Sequence, residues 1–198
     1  MNYLFITGRY WVIQLRRLII YVVSILWLPL YSQEVNVDSI SINKTWIDNN
    51  GKNSLFVKVN ALCDPNNPPF DGHKTLIEAS LKNKKHNLNL LYDEENYQMK
   101  MLLFYEKDIK FYKLNKTNSI FIPFFYCGNW ENDVKVSYII FYNNKKYLYH
   151  INYYCGEDAS CRLNDNLNLK LKNMPESLKK IFIKELKTKY KTSKDFYF

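Results

Sequence analysis

Residues 134–155 read VKVSYIIFYNNKKYLYHINYYC, two aromatic and β-branched runs on either side of Asn143-Asn144-Lys145. In the second run Tyr147, Tyr149, Ile151 and Tyr153 fall on one side and Leu148, His150 and Asn152 on the other. A period of two places successive side chains on opposite faces of a sheet, and Asn tolerates the backbone of a tight turn. The stretch therefore predicts a long antiparallel hairpin, Val134 to Tyr142 and Lys146 to Cys155, and with it a β fold.

The same reading extends outward. Leu55, Val57, Val59 and Ala61 alternate with Lys58 and Asn60, which marks a half-buried strand over 54–62. Val35 to Ile47 is a second extended run, joined to the first through the turn residues Asp48-Asn49-Asn50-Gly51-Lys52. A loop with Pro65, Pro68 and Pro69 follows, from Asp64 to His73. Proline lacks the N–H a ladder needs, so this segment leaves the sheet. Further strands are expected over Thr75–Leu81, Leu88–Tyr92, Tyr97–Tyr105, Ile109–Leu114 and Ile120–Cys127, with Pro123 confining the last to an edge or a bulge. Arg162 to Lys172 alternates Leu163, Leu167, Leu169 and Leu171 with mostly polar residues and reads as another strand.

After Pro175 the period changes. Leu178, Ile181, Phe182, Leu186 and Tyr190 follow helical spacing, with Lys179, Lys180, Lys184, Lys187 and Lys191 on the other side. Asn173 and Glu176 are spaced for a capping box, Pro175 suits the first turn, and Glu176–Lys180 and Glu185–Lys189 are spaced as i,i+4 pairs. The expected fold is mainly β: an antiparallel β-sandwich of about eight or nine strands in one domain, 33–198, closed by an amphipathic helix over 175–191.

Residues 18–31, LIIYVVSILWLPLY, carry no charge and follow Arg16-Arg17. A basic flank, a short apolar run and a small residue at Ser32 are the parts of a secretory signal peptide, expected over 1–32. The alternative is an uncleaved anchor spanning residues 10–31. Export, periplasmic or secreted, makes the four cysteines Cys63, Cys127, Cys155 and Cys161 disulfide partners. Three pairings are open. The short spacer GEDAS between Cys155 and Cys161 makes a local closure easy, which leaves Cys63 with Cys127.

The net charge of +9 is unevenly spread: residues 1–32 carry +3, 33–169 are neutral and 170–198 carry +6. A nucleic-acid binder usually shows a broad basic footprint, and the body of this chain has none, so no nucleic-acid partner is expected. No metal-ligand spacing or nucleotide loop stands out, and no metal or cofactor is expected. Asp48-Asn49-Asn50-Gly51 resembles the start of a calcium loop but lacks the terminal Glu, so it reads as a turn. The tyrosine hairpin, with Trp130 just before it, supplies a candidate contact surface of Trp130, Tyr147, Tyr149 and Tyr153, since such rings combine an apolar face with a polar tip. The leading expectation is a non-enzymatic exported domain that binds a protein or glycan partner. The alternatives are a hydrolase using Cys63 and His73 with Asp64 or Asp71, and a membrane-associated protein held by an uncleaved leader and the basic helix.

Overall fold

The computed structural model describes residues 39–49, 51–60, 76–93, 102–114, 117–126 and 133–196, which all belong to one compact unit, Val37–Phe198. The leader, Cys63, His73, Cys127 and Trp130 lie outside the described residues. Strands β1 (Ser39–Asp48), β2 (Gly51–Asn60), β3 (Leu76–Lys82) and β4 (Asn87–Asp93) form an antiparallel meander in that order. The second sheet holds β5 (Leu102–Leu103), β6 (Lys110–Leu114), β7 (Thr117–Tyr126), β8 (Asp133–Tyr142), β9 (Lys145–Cys155) and β10 (Cys161–Leu163). Its order is β10-β9-β8-β7-β5, with β6 also pairing with β7. Among the described residues the protein is thus an antiparallel β-sandwich of a four-stranded and a six-stranded sheet, with two helices, α1 (Leu167–Lys170) and α2 (Glu176–Lys189), following the last strand.

The six-stranded sheet is buried on both faces. Ile120, Ile122, Phe124, Ile139 and Phe141 meet Leu55, Val57, Val59 and Ile77 of the other sheet. From the opposite face Phe121, Val136, Tyr138, Ile140 and Tyr153 meet Leu178, Phe182 and Leu186 of α2. Two-sided burial explains why 120–125 and 136–142 are buried at every position: a central strand between two layers needs an apolar run rather than alternation. Each large side chain so buried contributes about 1.5 to 3 kcal/mol.

Turn chemistry sets the register. Tyr142 pairs with Lys145, so the β8–β9 turn is two residues, Asn143 and Asn144, both at positive φ (46° and 60°). Left-handed backbone at both central positions matches the strand twist, and Asn is among the few side chains that adopt it. At the β1–β2 turn Asp48 pairs with Gly51, whose φ of 88° strains any residue with a Cβ.

Four local expectations are corrected. Within Arg162–Lys172 only Cys161–Leu163 is strand; Leu167–Lys170 is helical, with the Asn166 side chain accepting from the Leu169 N–H. Leu163, Leu167 and Leu171 pack on the same core at a spacing of four, while Leu169 is 67% exposed, so the helical period outweighs the alternation. Helix α2 begins after Pro175 without a side-chain cap; the capping box forms instead between Thr192 and Asp195 in the turn after the helix. Neither expected i,i+4 ion pair occurs among the described residues; in the second, Glu185 instead accepts from the Tyr112 hydroxyl and Lys189 pairs with Asp108. Finally, β7 is not a sheet edge. Pro123 pairs with Tyr138 on one side and on the other falls between the residues matched to β6 (117–121) and β5 (125–126), where no ladder is interrupted. Of the expected strand Tyr97–Tyr105 the described part is Leu102–Leu103, followed by a 3-10 turn at Glu106–Asp108.

The disulfide Cys155–Cys161 closes a loop between paired residues of β9 and β10, with Cα atoms 4.0 Å apart.

Candidate binding groove

The tyrosines of β9 face α2. Tyr153 is 1% exposed, and its hydroxyl donates to the Leu186 carbonyl at 2.9 Å. Burial, the largest cause, raises its hydroxyl well above the ordinary tyrosine range. Tyr147 and Tyr149 are half-buried and stacked on each other at 6.2 Å, and Tyr149 lies 5.9 Å from Phe182. These rings fill the layer between sheet and helix, and Tyr153 offers no surface to a partner.

An open aromatic site lies instead where β1 borders the second sheet. Trp46 of β1 meets Phe111 of β6 edge to face, with centroids 5.1 Å apart and planes at 75°. Phe111 is 38% exposed. Together with Lys44, Thr45 and Asn118 the two rings line an open groove of about 400 Å³, within the size range of small-ligand clefts. Among the described residues β1 pairs with one strand, β2, and β6 with one, β7; the groove sits between these two borders.

Each wall is held from behind. Along β1 the inward positions are Ile42, Lys44, Trp46 and Asp48; Ile42 is in the core and Trp46 packs, partly buried, at its margin. Lys44 pairs with Glu106 at 2.9 Å, tying β1 to the turn before β6. The indole N–H of Trp46 donates to Asp48 Oδ2 at 3.3 Å, and Asn53 Nδ2 donates to Asp48 Oδ1 at 2.9 Å. Asn53, buried opposite Trp46, also donates to the Gly51 carbonyl at 2.9 Å and accepts from Asn83 Nδ2 at 3.3 Å. The Asp48 carboxylate is therefore part of a turn lock that orients the indole, as the reading of this segment as a turn implies.

Phe111 is presented by the opposite face of β6. Its neighbour Tyr112 packs toward α2 and donates to Glu185 Oε2 at 2.5 Å. Burial first, then the Glu185 carboxylate, pushes the Tyr112 hydroxyl far up. Lys189 approaches Asp108 at 3.2 Å without a well-aligned hydrogen bond. Helix α2 thus grips both β6 and the turn that carries the partner of Lys44.

The described residues contain one hydroxyl–imidazole pair of the kind that activates a nucleophile, Ser137 Oγ and His150 Nδ1 at 2.7 Å. Ser137 is 0% exposed, so no substrate reaches it, and the pair satisfies a buried hydroxyl. Among the described residues no three His, Cys, Asp or Glu side chains gather for a metal ion. The proposed Cys63 and His73 pair and the Cys63–Cys127 bridge lie outside them. Also among the described residues, no helix is long and apolar enough to cross a membrane. The apolar stripe of α2 is spent on the sheet.

Trp46 and Phe111 did not emerge from the sequence, because they sit on strands distant in the chain. The available signal was charge at Lys44 and Asp48 on the same strand face as Trp46, which marks the margin of a core. No protein-family model, curated protein or solved structure matches the chain.

Proposed function

We propose that this chain is an exported, non-enzymatic binding module whose contact site is the Trp46–Phe111 groove. The observation that carries this is the pair of rings held at 75° on the borders of two sheets, Phe111 exposed and Trp46 half-buried, lining an open groove. Core packing requires no such exposure, and a rigid apolar wall with polar neighbours is what ligand clefts share. Export is supported by the leader pattern in the sequence and is compatible with the Cys155–Cys161 disulfide.

The test is binding of the full chain to arrays of glycans and of peptides, alongside Phe111→Ala and, as a control, Ile47→Ser on the outer face of β1. Ile47 is 83% exposed, so its replacement leaves the fold intact. Binding lost in Phe111→Ala and kept in Ile47→Ser supports the groove. The reverse pattern moves the site to the outer face of the sheet. A protein recovered from the cell exterior still beginning at Met1 would replace secretion with anchoring.

A further inference from the structure

Resting on that reading, we infer that the ligand of the groove is a neutral glycan, its sugar rings stacked against Trp46 and Phe111 and its hydroxyl groups met by asparagine amides. The charged groups at the groove are already engaged. Lys44 is neutralised by Glu106 at 2.9 Å, and Asp48 spends both oxygens on Trp46 and Asn53. What remains uncommitted is neutral: the Thr45 hydroxyl and a set of amides. Among the described residues the side chains of Asn118, Asn143 and Asn144 have no hydrogen-bond partner.

Asn118 lines the groove and also a smaller adjoining hollow, which shares Trp46 and is bordered by Asn143 and Asn144. A row of amides therefore runs from the two rings to the β8–β9 turn. An amide both donates and accepts, as a sugar hydroxyl does, so the two match without any charge. The faces of pyranose rings present C–H groups that pack on an aromatic plate, and two plates at 75° grip a ring from below and beside it. An acidic polymer would need a free cation in the groove; the one lysine lining it already has a carboxylate partner, and exposed Lys113, in register with Asn118, lies outside the lining.

Isothermal titration of the full chain uses cellohexaose, xylohexaose and chitohexaose as neutral probes. A heparin hexasaccharide serves as the acidic one, and a phage-displayed decapeptide library as the peptide arm. At least one neutral hexasaccharide is expected to bind, with Kd changing less than about twofold between 50 and 500 mM NaCl because no ion pair is formed. Phe111→Ala and Trp46→Ala are expected to weaken it about tenfold or more, a loss of one good stacking contact, and Asn118→Ala a few-fold. Trp46→Ala removes a partly buried ring, so Phe111→Ala, with unchanged thermal unfolding, is the deciding variant. Binding of the heparin probe alone, falling steeply with salt, overturns the neutral-ligand inference. Selection of peptides that need Phe111, with no sugar bound, overturns the glycan and leaves the binding module standing. Failure of both arms to respond to Phe111→Ala overturns the module as well.

Discussion

The hydroxyl oxygens of Tyr138 and Tyr190 lie 2.8 Å apart, one ring from the middle of β8 and the other from the C-cap of α2, both buried. Each hydroxyl is the other's partner inside an otherwise aromatic layer, where Phe182 sits 5.0 Å from Tyr138 and Phe196 stacks on Tyr190 at 5.0 Å. Removing one leaves the other buried and unpaired, which costs about 1 to 3 kcal/mol. Tyr138→Phe and Tyr190→Phe are each expected to destabilise by that amount. The double variant should lose less than their sum, by about 0.5 kcal/mol or more. Urea unfolding of the four proteins checks the cycle; strict additivity would mean the hydroxyls are not coupled.

The same layer predicts alkaline unfolding. Burial, the largest cause in each case, pushes the hydroxyls of Tyr138, Tyr153 and Tyr190 well above the ordinary tyrosine range. An unfolded tyrosine ionises near pH 10 while the folded one keeps its proton, so above that pH the native state binds more protons and stability falls as pH rises. These groups contribute nothing to the pH dependence below about pH 9. Above about pH 10 each removes up to about 1.4 kcal/mol per pH unit. Urea midpoints between pH 8 and 11 should be flat, then drop, and Tyr138→Phe should drop less steeply. A flat profile through pH 11 would contradict the burial of these hydroxyls.

The disulfide loop anchors the end of the chain. The Cys161 N–H donates to the Lys191 carbonyl at 2.7 Å, and the Ser193 N–H donates to the Ala159 carbonyl at 2.8 Å. Closing so short a loop contributes about 2 kcal/mol in the chain-entropy model. Cys155→Ala with Cys161→Ala is expected to lower stability by about that amount. It should also speed amide exchange at Cys161 and Ser193 more than in β7 or β8. Uniform acceleration throughout the sheet would show that the loop stabilises the whole fold instead of this clasp.

What could be read in advance follows from how local each signal is. The β8–β9 hairpin was legible because its alternation and its Asn-Asn turn lie in one continuous stretch. Helix α2 was legible because Leu178, Phe182 and Leu186 repeat every turn. The segment 162–172 misled because leucines at 163, 167 and 171 satisfy both a period of two and a spacing of four; only the Asn166 cap and the exposure of Leu169 separate them. The groove was not legible, since its two rings come together through pairing of β1 with β2 and β6 with β7. The tyrosines of β9 attracted attention as a surface, yet Tyr153 is buried beneath α2 while Tyr147 and Tyr149 are half-buried.

That cover is what the last prediction examines. Phe182 is fully buried, with Phe121 at 5.5 Å, Tyr138 at 5.0 Å and Tyr149 at 5.9 Å, so its ring joins α2 to three strands of the second sheet. Phe182→Ala removes the ring and leaves a cavity whose aromatic walls are fixed by their own strands, and it is expected to cost about 3 to 5 kcal/mol. On the other side of the helix Lys184 and Lys187 are exposed and Lys179 is half-buried. Replacing all three with Gln should shift stability by no more than about 1 kcal/mol, because exposed charges contribute little. Thermal and urea unfolding of both variants gives the comparison, and binding of anionic vesicles to the lysine variant supplies the second readout. A harmless Phe182→Ala together with vesicle binding that disappears in the lysine variant would make α2 a membrane arm. A large loss from Phe182→Ala alone makes the helix the third layer of the fold, and through Tyr112 and Asp108 the support of the strand that presents Phe111.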